Sequence, residues 1–183
     1  VWVHSKGSVI HRSVDGRPLL AVGASMNITA RKQIEQAARE SEARSRNLAT
    51  LLRLMADNVP DMIWAKDLDN RYLFANRAVC RQLLNAADTT EPVGKDDMFF
   101  ALRERDRHAD NPNWHTFGEL CQDTDTDTLQ RGVPSVFEEF GNLQGRPTYL
   151  DVHKAPFLDE QGQVIGTVGS ARDITERKHT EAE

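Results

Sequence analysis

Apolar positions in the first 60 residues change rhythm once, from strand-like to helix-like. Trp2, Val3, Val9 and Ile10 are strand formers. Asp15-Gly16 followed by Pro18 is turn chemistry, and Leu19 to Ile28 reads as a second strand. Thr29 is placed to cap a helix. From there Ile34, Ala38, Ser41, Ser45, Leu48, Leu52, Met55 and Val59 recur at alternating spacings of 4 and 3, a heptad seam. Its middle is small and its ends are apolar. Arg39, Glu40, Glu42, Arg44 and Arg46 occupy the other faces, as on a solvated helix. No Gly or Pro interrupts 30–59, and Pro60 stops the helix because proline disfavours helical backbone in the residue before it.

Beyond Pro60 the strand rhythm returns. Met62 to Ala65 reads as a strand, Asp67-Leu68-Asp69-Asn70 as a turn and Arg71 to Ala75 as the returning strand. Asn76 is placed to cap a short helix over 77–84. Residues 85–131 read as short helical pieces, with a polar loop at 110–113 and a Thr/Asp run at 123–128 taken as a solvated helix start. Three strands follow at 136–143, 148–157 and 163–174, and Thr175 caps a last helix. The strand at 149–157 carries apolar residues in both phases, which leaves its buried face open. The order predicts an α+β fold: a five-stranded antiparallel sheet with helices on one face, preceded by a long coiled-coil-type helix.

One phrase occurs twice at a constant offset of 146. Val22-Gly23-Ala24-Ser25-Met26-Asn27-Ile28-Thr29-Ala30-Arg31-Lys32 is matched by Val168-Gly169-Ser170-Ala171-Arg172-Asp173-Ile174-Thr175-Glu176-Arg177-Lys178. Each copy follows an acidic-Gly turn and an apolar run, so two related modules are expected. The expected organisation is the strand pair that ends a preceding module (1–29), a helical linker with the seam (30–59), a complete domain (60–175) and the start of an exit helix (176–183).

Composition narrows the classes. The chain has 183 residues, 28% charged, with a net charge of −5. That balance sets the expectation of no nucleic-acid partner and no membrane contact by this stretch, since both favour clustered Lys and Arg. No apolar run approaches the roughly 20 residues of a membrane span. Cys80 and Cys121 form no CxxC and read as reduced thiols, which suits a cytoplasmic location; a longer parent protein is compatible with a membrane anchor.

The stretch Trp64 to Ala78, the hairpin Ala155-Pro156-Phe157-Leu158-Asp159-Glu160-Gln161-Gly162, and the closing Asp173-Ile174-Thr175-Glu176-Arg177-Lys178 resemble the PAS family of sensory domains over about 58–178. Residues 1–32 resemble the end of another such module, with Asn27 where the family usually has Asp and Ala30 where Glu is common. The resemblance implies a regulatory module, without catalytic residues of its own, that binds a small molecule between sheet and helices. It also implies transmission through flanking helices to an effector domain in the same full-length chain, of the sensor histidine kinase or diguanylate cyclase kind. Asp173 and Thr175 stand at the positions that couple the last strand to the exit helix. The seam at Ile34, Leu48, Leu52 and Met55 predicts a homodimer through helix 30–59; the alternative is that it packs on its own domain. A ligand-free dimerisation or spacer module is the competing reading.

The ligand stays unknown. The flavin-binding branch of the family carries a reactive Cys in Asn-Cys-Arg-Phe-Leu-Gln. Here Val79-Cys80-Arg81-Gln82-Leu83 lies in the first short helix, the wrong place, so the reading goes against flavin. Lone histidines at 108, 115 and 153 set it against haem as well. No metal site is expected: His108, His115 and Cys121 lack zinc spacing, and the Thr/Asp run lacks the Gly and the terminal Glu of an EF-hand. Trp114 and His115 are candidate pocket residues, by stacking and by hydrogen bonding; alternatively Trp114 plugs the core and His115 points out. Phe137, Tyr149 and His153 complete the candidate ligand set.

Overall fold

The computed structural model describes residues 1–181. The chain divides into two compact units, one over Val1–Leu52 and one from Arg53 onward.

In the first unit, strands β1 (Val3–Arg12) and β2 (Pro18–Asn27) pair antiparallel, with Ser5 opposite Ser25 and Gly7 opposite Gly23. Every residue of both strands is exposed. Helix α1 (Thr29–Asn58) runs 30 residues without a break and buries none of them. Ion pairs spaced i,i+4, Glu35–Arg39 and Glu42–Arg46, lie along it. Along the seam Ile34 is 72% exposed and Leu48 56%.

The second unit holds an antiparallel sheet of five strands. They are β3 (Met62–Asp67), β4 (Tyr72–Ala75), β5 (Ser135–Leu143), β6 (Arg146–Leu158) and β7 (Val164–Asp173), in the spatial order β4-β3-β7-β6-β5. Local chemistry sets the turns. Asp67 Oδ1 accepts from the amides of Asp69 and Arg71, and Asn70 takes the left-handed conformation that Asn tolerates. Asp159 Oδ1 does the same for Gln161 and Gln163 in the β6–β7 turn.

Between β4 and β5 lie α2 (Asp97–Arg107) and α3 (Phe117–Arg131). Asp96 caps α2 by accepting from the Phe99 amide at 2.8 Å. The short helix expected over 77–84 is a π-helical segment, Val79–Leu84, entered through Asn76, whose Oδ1 accepts from the Val79 amide.

The Thr/Asp run is no helix start. It lies inside the 15-residue α3. Thr124, Thr126 and Thr128 satisfy their hydroxyls on carbonyls four residues back, which lets poor helix formers stay helical. Asp125 is turned inward and fully buried.

Strand β6 settles its ambiguous phase. Thr148, Leu150, Val152 and Lys154 face the helices; Tyr149, Asp151 and His153 face away. The core between sheet and helices contains Met62, Trp64, Tyr72, Phe100, Phe117 and Leu150.

Candidate functional site

The inner face of the sheet carries two lysines, Lys66 on β3 and Lys154 on β6, either side of β7. Helices α2 and α3 lower Asp97 and Asp125 onto them, and β5 contributes Glu139. Lys66 is 1% exposed, Lys154 2% and Asp125 0%. Unpaired charges at such depth are prohibitive, so the geometry is a network. Lys66 Nζ donates to Asp97 and, at 2.5 Å, to Asp125 Oδ2. Tyr72 donates its hydroxyl to Asp97 Oδ1 at 2.5 Å. Lys154 Nζ donates to Thr124 Oγ1 at 2.7 Å and to the Cys121 carbonyl at 3.2 Å. Glu139 Oε1 lies 2.6 Å from Thr124 Oγ1, an alternative acceptor to the Leu120 carbonyl for its one hydroxyl proton. Lys154 also forms an ion pair with Asp125, its Nζ 2.7 Å from Oδ1.

Electrostatics follows from this packing. Burial works to discharge Lys66, but the carboxylates of Asp125 and Asp97 outweigh it and hold the ammonium well above its ordinary pKa. Burial likewise works to raise Asp125, and Lys66 and Lys154 bring it below the ordinary carboxylate value. Burial pushes the Tyr72 hydroxyl and the Cys121 thiol up, with Asp97 adding to both; Cys80 is pushed up to about 11. Both thiols are thus held protonated, which suits packing rather than nucleophilic chemistry.

The indole of Trp64 lies about equally far from both ammonium groups, 6.0 Å from Lys66 Nζ and 5.8 Å from Lys154 Nζ. Its Nε1 and the hydroxyl of Thr167, which pairs with Lys66 across the sheet, are buried without hydrogen-bond partners. The arrangement is suited to holding a polar guest or water in place.

The expected ligand residues are scattered. Phe137 packs against the core from the inner face. Trp114 is half-buried and stacks on His108 with ring centroids 3.7 Å apart, while its ring presses on Gly145, where an added Cβ would lie 2.6 Å away. His115 is the buried partner instead, edge-on to Phe117, with Nδ1 unpartnered and its pKa lowered by burial. The alternative in which His115 points out is therefore corrected. Tyr149 stacks on Phe140 on the outer face, and His153 lines a groove of 520 Å³ there with Ile63, Phe74, Val136 and Val168. Both are corrected as inward-facing candidates, because β6 puts the opposite phase inward.

The inner cluster escaped the sequence reading because Lys and Asp are read as solvated by default. A signal was present: Met62-x-Trp64-x-Lys66 and Leu150-x-Val152-x-Lys154 each place a lysine in phase with apolar positions.

At the exit, Asp173 Oδ1 accepts from the Thr175 amide at 2.9 Å, and Thr175 Oγ1 accepts from the Tyr149 amide at 2.9 Å, where α4 (Thr175–Glu181) leaves β7. At the entry, the Asn76 side chain donates to the carbonyls of Ala56 and Asp61, tying the end of α1 to the start of β3. Arg172 near the end of β7 grips Asp61 through two hydrogen bonds, at 2.9 and 2.6 Å.

Residues 56–179 match the PAS fold family. The aerobic respiration control sensor protein ArcB of Escherichia coli K12 is 25% identical over 131 residues, 71% of this chain and 15% of ArcB; the chain thus spans a small part of that relative. Among solved structures, VqmA of Vibrio cholerae in a complex with ligand and DNA aligns with a TM-score of 0.53 at 18% identity, covering 70% of this chain and 51% of VqmA. An RNA-binding light-oxygen-voltage receptor aligns with a TM-score of 0.53 at 21% identity, covering 73% and 35%. These likenesses show the fold.

They also overturn the expectation of no nucleic-acid partner, because proteins carrying this fold include a DNA complex and an RNA-binding receptor. Net charge was the wrong measure for that exclusion. Residues 1–52 hold eight Lys and Arg against four Asp and Glu, so a net-acidic chain contains a net-basic unit. No helix among the described residues is long and apolar enough to cross a membrane. The strand order, the helices on one face and the match over residues 56–179 together establish that this chain belongs to the PAS fold family.

Proposed function

We propose that this chain is a sensory module of a larger signalling protein. It receives a small polar molecule on the helix side of its sheet and passes the change out through α1 and α4. The observation that carries this reading is the inner cluster: five buried charged side chains, with Trp64 Nε1 and Thr167 Oγ1 left without hydrogen-bond partners. Native interiors satisfy such groups, and a guest or water supplies what the chain does not. Transmission is supported by adjacency. β3 and β7 are neighbours in the centre of the sheet, one continuous with α1 and the other with α4, and Asp61–Arg172 ties their ends. Asp173 and Thr175 are the coupling residues of this reading. The effector in the parent chain is of the sensor histidine kinase or diguanylate cyclase kind.

The exposed seam of α1 supports a homodimer through Ile34, Leu48, Leu52 and Met55. Leu48→Asp or Leu52→Asp is expected to convert the dimer to a folded monomer in sedimentation; an unchanged dimer contradicts the seam.

A second reading, a ligand-free spacer, is favoured by one fact: Lys66, Lys154, Trp64 and Tyr72 fill the inner face and pair with one another's surroundings. Native and denaturing mass spectra of the purified protein separate the two. Extra mass that disappears on denaturation supports the sensor, and its value names the ligand class. A bare protein mass in both supports the spacer.

A further inference from the structure

The two copies of the repeated phrase make the same four hydrogen bonds. Thr29 N donates to Asn27 Oδ1 at 3.0 Å, as Thr175 N does to Asp173 Oδ1 at 2.9 Å. Trp2 N donates to Thr29 Oγ1 at 2.8 Å, as Tyr149 N does to Thr175 Oγ1 at 2.9 Å. Ile28 N reaches the Trp2 carbonyl and Ile174 N that of Tyr149, both at 2.9 Å; Lys32 and Lys178 close the first helical turn on Ile28 and Ile174, both at 3.0 Å. The strand registers agree as well. Gly7 faces Gly23 where Lys154 faces Gly169, and Ser5 faces Ser25 where Val152 faces Ala171. The first hairpin is thus built as the last two strands of the fold.

What differs is the cover. β7 is paired on both edges, by β6 and β3, whereas among the described residues β2 is paired by β1 alone. Gly169 is glycine for a visible reason: the Trp64 indole from β3 lies on it, and a Cβ would come 2.5 Å from that ring. No ring lies on Gly23 or Gly7. An added Cβ would meet Lys6 O at 3.1 Å at Gly23, and nothing closer than 3.5 Å at Gly7. Glycine in a strand marks the close approach of another group, and a bare two-stranded hairpin with exposed Leu19, Leu20, Val22 and Met26 is marginal in water.

We propose that the open edge of β2, with the notch at Gly7 and Gly23, is the docking surface for a strand equivalent to β3. That strand belongs to a further module of this fold lying N-terminal in the full-length chain. It brings a bulky apolar side chain onto Gly23, as Trp64 is brought onto Gly169. Trp64 precedes Gly169 by 105 residues, so by the same spacing the facing side chain lies roughly 80 residues before Val1. This inference goes beyond the sensory reading and stands without it.

Amide hydrogen exchange on the 183-residue chain and on the natural full-length polypeptide tests it. Peptides spanning β2 are expected to exchange at least about 100-fold more slowly in the full-length protein, with β7 peptides protected in both. Equal, fast exchange of β2 in the two proteins overturns the proposal. So does protection in the 183-residue chain that grows with its concentration, since a second copy of this chain is then the occupant. In the full-length protein, Gly23→Leu is expected to remove most of the β2 protection and leave β7 unchanged; β2 protection that survives Gly23→Leu also overturns it.

Discussion

The β1–β2 hairpin and the β6–β7 pair share one junction with the helix that follows, bond for bond, yet one is bare and the other is the centre of a domain. The comparison separates two layers of information. The cap, the turn after the last strand and the first helical turn are fixed by residues within about thirty positions, so they recur wherever the phrase recurs. Burial is fixed by what lies across the sheet. Among the described residues, only the second copy has a further strand, β3, beside it and a helix, α3, packed on it.

The largest effect is expected where the covered pair differs most from the bare one, in its buried charges. Asp125→Ala strands Lys66 and Lys154 without their shared carboxylate and is expected to cost about 3–5 kcal/mol in denaturant melts. The position of β1 that corresponds to Lys154 is Gly7, where there is no charge to strand. A loss below about 1 kcal/mol for Asp125→Ala contradicts the network.

Gly169→Leu comes next. The new side chain collides with the Trp64 ring, and about 1–3 kcal/mol or more is expected to be lost. The same change at Gly23 meets no ring, only the Lys6 carbonyl at 3.1 Å, and is expected to cost the 183-residue chain less than Gly169→Leu does. Equal costs at the two glycines break the comparison.

The caps sharpen it from the other side. Thr175→Ala and Thr29→Ala remove the same hydroxyl from the same junction, so each is expected to weaken its helix start by about 1 kcal/mol, read from local amide exchange. A cost confined to Thr175 shows that the junction depends on its cover.

The smallest effect is pH-dependent. Burial holds His115 neutral, with a folded pKa below the ordinary value of 6.5. The unfolded chain then takes up the proton first, so stability falls as pH drops below about 6.5 and levels off once the folded state is protonated too. Glu104, Arg105, Asp97 and Glu119 surround the ring and set where that happens. His115→Gln is expected to flatten this part of the pH–stability curve; an identical slope assigns it to other groups.

The strands, the long helix α1 and both junctions were legible because each rests on short-range patterns: alternation, a 3–4 spacing, an Asn or Asp two residues before a Thr. The phase of β6 was not, since Tyr149 and Leu150 are both apolar enough to be buried and neighbours across the sheet decide between them. Nor was α3, whose Thr/Asp run is poor helix former and good cap. It is held helical by hydroxyls bonded to its own carbonyls and by two lysines more than 25 residues away in sequence. Lys66 and Lys154 look like surface residues until the partners that make their burial tolerable are brought together by the fold.

If the state of the inner cluster is read out where α1 and α4 join the sheet, a change of charge in the cluster moves the two helices relative to one another. Spin labels at Leu54→Cys on α1 and Thr180→Cys on α4, both exposed positions, report the distance between the two helices by pulsed electron resonance. Asp125→Asn keeps the side chain's size and removes the charge shared by Lys66 and Lys154. A shifted distance distribution is expected in a variant whose near-ultraviolet circular dichroism shows it folded. An unchanged distribution in that folded variant contradicts that readout.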